Sequence, residues 1–298
     1  MEKTPNVLLI GNGINRAFGS SSWDSVISAI STGEFESHSI KGEEIKKLPY
    51  PLQTMVVSND SVDKGMKLIS NTMISCELSV RQKNMLTRLA SLPFEAILTT
   101  NYSYEIETSL DDGFKVKQNC ASRYRKSTRK GNSVQEKFGI FKYNEVADKK
   151  IWHIHGEAAH VNSMIMGHYY YGKLLAEIQK RIPGLFRERA MAEKRGYDFT
   201  PVSWIDYFLL GNVYIVGMGL DPSEMDIWWL INCKKKDFGN DGKIVFYEPN
   251  LSDESKYAIK ALADINGIDC VSAKLENADE CYIKYYDEVI GQIEERLT

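Results

Sequence analysis

Val7-Leu8-Leu9-Ile10 is a continuous apolar run that stops at Gly11-Asn12-Gly13, with Ile14-Asn15-Arg16 beyond. Unbroken apolar residues mark a strand covered on both faces, as in a parallel sheet. A strand, a glycine pair and a helix start form a turn suited to diphosphate, because glycine lets the backbone approach and helix N-terminal amides attract an anion. The G-x-G-x-x-G dinucleotide fingerprint is incomplete, since Arg16 stands at the third glycine position. No strand ending in an acidic residue follows about 20 residues on, which weakens a hydride-transfer reading. A plain tight turn between strand and helix also explains the segment.

The same pattern recurs outward along the chain. Ala96-Ile97-Leu98-Thr99-Thr100 precedes Asn101, Ile151 to His155 precedes Gly156, and Val213-Tyr214-Ile215-Val216 precedes Gly217-Met218-Gly219. Lys243 to Tyr247 precedes Glu248-Pro249-Asn250, and Ile268 to Val271 is a candidate sixth strand. Helical patterns separate these runs. Trp23, Val26, Ile27 and Ile30 share one helical face behind a cap at Ser21, and Ser79 with Gln82 marks another start. Asp221-Pro222-Ser223-Glu224 reads as a capped helix start with proline at its first position. Tyr282, Tyr286, Val289, Ile290 and Ile293 stripe a C-terminal helix. The expected fold is α/β, a Rossmann-like doubly wound parallel sheet with an inserted helical module. Residues 1–298 read as a single domain, with the core at about 5–30, 95–156 and 212–298 and strand-free insertions at about 31–95 and 157–211.

Composition narrows the function classes. The 298 residues carry 37 Lys plus Arg against 40 Asp plus Glu, a net charge of −3, which argues against a nucleic-acid coat. Arg123 to Lys130 holds five cations in eight residues, a candidate phosphate contact or a solvated loop. No apolar run approaches the ~20 residues that span a bilayer, and no signal peptide precedes Val7, so no membrane and a cytoplasmic setting are expected. The five cysteines, at 76, 120, 233, 270 and 281, are too dispersed for a four-cysteine zinc site.

The chemistry-bearing side chains sit at strand ends, where α/β folds place ligands. The Asn101 amide suits orienting a water or a ribose hydroxyl, or capping the next helix. His153 and His155 share one face of a strand. His155, at its end beside Gly156, suits a general base near neutral pH, whereas His153 reads as structural. A zinc pair would need a third ligand from His38, His160 or His168. Gly167-His168-Tyr169-Tyr170-Tyr171 suits either the lining of a base pocket or lobe packing, and Trp228-Trp229 reads as core.

In this order the segments resemble the sirtuin-like NAD-consuming fold. Gly11-Asn12-Gly13-Ile14-Asn15 is similar to the sirtuin Gly-Ala-Gly-Ile-Ser opening. Thr100-Asn101-Tyr102-Ser103 is similar to Gln-Asn-Ile-Asp, His155-Gly156 to the His-Gly pair, and Gly217-Met218-Gly219-Leu220 to the late glycine turn. Ser103 replaces the aspartate, with Glu105 nearby, and the deacylases' paired zinc cysteines are missing. These departures resemble the bacterial sirtuin-like branch that hydrolyses NAD in anti-phage abortive infection. The resemblance implies NAD as substrate and no metal. It implies Asn101 and His155 as catalytic residues, with Gly11, Asn12, Gly13, Asn15, Thr100, Gly156, Gly217, Gly219 and Glu248 contacting NAD. It also implies a homo-oligomer and a regulatory partner such as a HerA-type ATPase. The alternatives are an NAD-dependent protein deacylase, a non-catalytic sensor of ADP-ribose or NAD, and an ADP-ribosyltransferase.

Overall fold

A computed structural model describes residues 4–20, 27, 42–58, 66–67, 70, 77–120, 139–239, 241–276 and 279–298. The strands are β1 (Asn6–Ile10), β2 (Ala96–Thr99), β3 (Gln118–Cys120), β4 (Lys142–Val146), β5 (Lys149–His153), β6 (Asn212–Val216), β7 (Ile244–Tyr247) and β8 (Asp269–Val271). They form one sheet in the order β3-β4-β5-β2-β1-β6-β7-β8. The six strands read from the sequence are the parallel ones, and β3 and β4 extend the sheet antiparallel beyond β5. Numbered by themselves, the parallel strands follow the order 3-2-1-4-5-6, the Rossmann arrangement. The chain winds outward from β1 through β2 to β5, then crosses back to β6. The strand order therefore reverses between β1 and β6, and their two glycine turns meet at that switch point.

Alternation along each strand sends side chains to two layers. Val7 and Leu9 of β1 join one core, with Leu98, Trp152, Ile215 and Phe246. Over it pack α6 (His168–Arg195), α7 (Trp204–Leu210), α8 (Met225–Asp237) and α9 (Tyr257–Asn266). Leu8 and Ile10 join the other, with Ile97, Ile151, Val216 and Tyr247. That face is covered by α1 (Gly13–Ala17), α4 (Val80–Ser91), α5 (Glu105–Leu110) and α10 (Asp279–Leu297). A third cluster holds Ile27, Val57, Met66, Tyr102, Tyr104, Met164 and Met166. It includes the end of α3 (Tyr50–Val57), which follows the short α2 (Gly42–Lys46), and it adjoins the C-terminal end of β2.

Ser79 accepts the Gln82 amide at 3.2 Å, the expected cap of α4. Tyr286, Val289, Ile290 and Ile293 are buried along α10, as their spacing requires. The Asp221 start needs correction. Asp221 Oδ1 accepts the Ser223 amide at 2.8 Å in a local turn, and α8 begins only at Met225. The strand through His155 is likewise shorter. It ends at His153, and the Gly156 amide turns back onto the His153 carbonyl at 3.0 Å. The Trp23–Ile30 helix and the Arg123–Lys130 run lie outside the described residues, apart from Ile27, which is helical and buried. No helix among the described residues is long and apolar enough to cross a membrane.

Candidate functional site

The C-terminal edge of the parallel sheet collects every chemistry-bearing segment. Across five adjacent strands it presents His155-Gly156 after β5, Thr100-Asn101 after β2 and Gly11 to Gly13 after β1, then Gly217 to Gly219 after β6 and Glu248 after β7. Four interstrand steps of about 4.8 Å make this edge on the order of 19 Å long.

At its centre the two glycine turns interlock. The Gly11 amide donates to the Val216 carbonyl at 3.0 Å and the Gly13 amide to the Gly217 carbonyl at 2.7 Å. A Cβ on Gly13 would lie 2.3 Å from the Tyr286 hydroxyl and 2.6 Å from Gly217 Cα. These glycines are therefore required by turn-on-turn packing, and the Gly11 and Gly13 amides are already committed. What the turns offer a ligand is close backbone approach rather than these two donors. Gly219 is different, with nothing among the described residues within 4 Å of an added Cβ. Beside Gly13, buried Asn15 donates to Asn12 Oδ1 at 3.1 Å and accepts from Gln82 Nε2 at 3.2 Å, so it braces the turn.

Asn101 follows β2 but caps no helix, because α5 starts at Glu105 behind Tyr104. Its side-chain nitrogen lies 3.5 Å from the Gly11 carbonyl, a long contact, and its own carbonyl accepts from His153 Nδ1 at 2.7 Å. His153 Nε2 lies 2.8 Å from Glu107 Oε1. Asn144 then bridges Glu107 and Glu157, 3.0 Å from each. Burial alone would lower the His153 pKa, but Glu107 and Glu157 outweigh it and lift it to about 9. His153 thus takes the structural role, anchoring the Asn101 backbone. Ser103, at the aspartate position of the resemblance, donates to the Glu105 carboxylate at 2.6 and 2.7 Å.

His155 turns to the opposite layer. Its Nε2 lies 2.8 Å from Asp226 Oδ2 on α8, and its ring meets Tyr171 edge-on at 5.3 Å. With Nε2–H donating to Asp226, Nδ1 is the basic nitrogen. Burial works against a charged imidazole, yet Asp226 overcomes it and raises the His155 pKa. Glu224 completes the group: one ligating atom from each of His155, Glu224 and Asp226 lies within 4.8 Å of the others. Burial pushes Glu224 up to about 7, against the pull of His155. Gly156 holds this corner at φ 89°, where a Cβ would strike the Ser163 carbonyl at 2.2 Å.

A histidine-only metal set does not form among the described residues. His153 and His155 engage carboxylates, His160 faces Glu157 at 3.1 Å, and His168 is exposed at the start of α6. The sequence reading missed Asp226 and Glu224 as site residues. Their segment looked like a helix cap, which concealed two carboxylates aimed at the base. Tyr171, from the aromatic tract, lies against His155, whereas Tyr169 is exposed beneath Lys173. Trp228 and Trp229 pack against the core, as expected. At the far end, Glu248 is buried and paired with Lys256, which also donates to the Pro249 carbonyl at 2.6 Å. No protein-family model matches this chain, and no curated protein is significantly similar to it.

Proposed function

We propose that this protein is an NAD⁺ glycohydrolase that cleaves the bond between nicotinamide and ribose, releasing ADP-ribose. The observation that carries this reading is the row of Asn101, His155, the glycine turns and Glu248 along one sheet edge across the switch point. A site on the order of 19 Å long suits an extended dinucleotide better than a mononucleotide. Open α/β sheets of this kind bind ligands at the C-terminal edge of the strands, at the switch point.

In this assignment the glycine turns lie beneath the diphosphate, where side chains would intrude, and Glu248 faces the adenosine ribose. Asn12, Asn15, Thr100 and Gly156 border the path between. The nicotinamide end lies between Asn101 and His155. Nicotinamide is a cation in NAD⁺, so it departs with the bonding electron pair and needs no acid. The ribose carbon left behind gains oxocarbenium character. Asn101 orients the attacking water and a ribose hydroxyl. His155 takes the proton through Nδ1 while Asp226 holds Nε2–H, the division of labour seen in histidine–carboxylate dyads generally. A positioned base of this kind contributes about 10²–10⁴ in rate. An abortive-infection role, with a homo-oligomer or a HerA-type ATPase controlling the activity, accompanies this proposal through the resemblance.

The test is nicotinamide release from NAD⁺ by the purified protein without any peptide, and again with the products of neighbouring genes. Asn101→Ala and His155→Ala should each lower the rate at least 10²-fold while leaving the thermal melt cooperative. Full activity in both variants would overturn the assignment. Turnover only with an acylated peptide would make it a deacylase, and tight NAD binding without turnover under every condition would make it a sensor. Transfer of radiolabel from NAD to a protein or nucleic acid would make it an ADP-ribosyltransferase.

A further inference from the structure

Asp226 is fully buried, and its Oδ1 has no hydrogen-bond partner among the described residues. Among them, Glu224 Oε2 is also buried without a partner. Both belong to the cluster with His155. An ionised carboxylate oxygen removed from water and left unpaired is costly, so two beside one imidazole require added positive charge. A proton can supply it, and burial does raise the Glu224 pKa to about 7. A metal ion can supply it too. His155 Nε2 and Asp226 Oδ2 are 2.8 Å apart, and one ligating atom from each of the three residues lies within 4.8 Å of the others, so the three converge on one point. Glu224 is the half-buried member of the group, its Oε2 turned inward with the other two.

We propose that His155, Glu224 and Asp226 form a binding site for a first-row divalent cation of the zinc or manganese class. One imidazole with two carboxylates matches that class, because imidazole nitrogen is not a ligand preferred by magnesium or calcium. Occupancy would take His155 away from proton transfer, so the bound ion would act as an off-switch. That consequence rests on the NAD-cleavage reading; the binding itself does not.

The experiment is calorimetric titration of Zn²⁺ and Mn²⁺ into chelator-treated full-length protein, with NAD cleavage followed at the same ion concentrations. One ion per chain should bind. Glu224→Gln should weaken binding at least tenfold, His155→Ala should abolish it, and Asn101→Ala should leave it unchanged. Glu224 is half-buried and Glu224→Gln keeps the side chain's size, so this variant should fold even if changes at buried Asp226 do not. In an active preparation, inhibition by the ion should follow its binding curve, and Glu224→Gln should move both together. No stoichiometric binding to the wild type, or binding indifferent to both Glu224→Gln and His155→Ala, would overturn the site. NAD cleavage without ion binding would sink this inference alone. Ion binding with no NAD cleavage under any condition would sink the hydrolase reading and leave the site standing.

Discussion

His153 faces an acceptor on each ring nitrogen, the Asn101 carbonyl at Nδ1 and the Glu107 carboxylate at Nε2. A neutral imidazole has only one N–H, so both bonds form only when the ring is protonated. The shift to about 9 has that origin: Glu107 and Glu157 overcome the burial that opposes it. Its folded pKa lies above the ordinary ~6.5, so the folded state binds the proton more tightly than the unfolded chain. The stabilisation is then complete below about pH 6.5 and is lost as pH rises towards 9. Urea unfolding at pH 6, 7.5 and 9 should show the stability gap between wild type and His153→Asn shrinking by about 3 kcal/mol across that range. Comparing the pair cancels groups away from His153 that also titrate there. A gap constant with pH would mean that His153 is neutral. The sequence reading put His153 and His155 on one strand face, and the structure corrects it: the strand ends at His153, and the turn at Gly156 sends His155 to α8 while His153 stays with α5. That division was not legible because it depends on the turn and on distant partners.

Between elements, the decisive contact is the one joining the β1 and β6 turns. An alanine methyl at Gly13 must displace either the Tyr286 hydroxyl or the Gly217 backbone, and the backbone cannot move without disturbing the hydrogen bond from Gly13 to Gly217. Overpacking of this kind costs roughly 1–3 kcal/mol. Gly219, two residues past the other half of the contact, has no described residue within 4 Å of an added Cβ. Gly13→Ala should therefore lower the denaturant midpoint clearly, whereas Gly219→Ala should stay within about 0.5 kcal/mol of wild type. Equal effects would mean that the glycines act through chain flexibility rather than close approach. The inner parallel strands β1, β2, β6 and β7 were legible because each carries a continuous apolar run. β3 and β4 were not. Gln118-Asn119-Cys120 and Lys142-Tyr143-Asn144-Glu145-Val146 carry edge-strand polarity, and their pairing is set by distant partners. The turn from β4 to β5 gave no warning either. Ala147 and Asp148 take φ 47° and 62°, a conformation usually signalled by Asn-Gly.

Across the whole molecule, length alone allowed two domains, but the sheet crosses any such division. β1 lies between β2 and β6, and β6 enters more than 200 residues after β1. A fragment of residues 1–138 contains β1, β2 and β3. Only β1 and β2 are neighbours in it, since β5 and β4 separate β2 from β3. Its β1 would lose the β6 partner that pairs along its entire length, from Asn6 with Asn212 to Ile10 with Val216. The core residues Leu8 and Ile10 would also lose α10, which covers them with Val289, Ile290 and Ile293. The fragment should show no cooperative thermal transition by circular dichroism. Mixed with residues 139–298, it should regain one, because each half supplies strands that the other lacks. An autonomous melt of 1–138 would restore the two-domain view and detach Asn101 and the first glycine turn from the elements carrying His155 and Glu248. The proposed NAD site has contributors on both sides of that cut, so cleavage activity should return only with the reconstituted sheet.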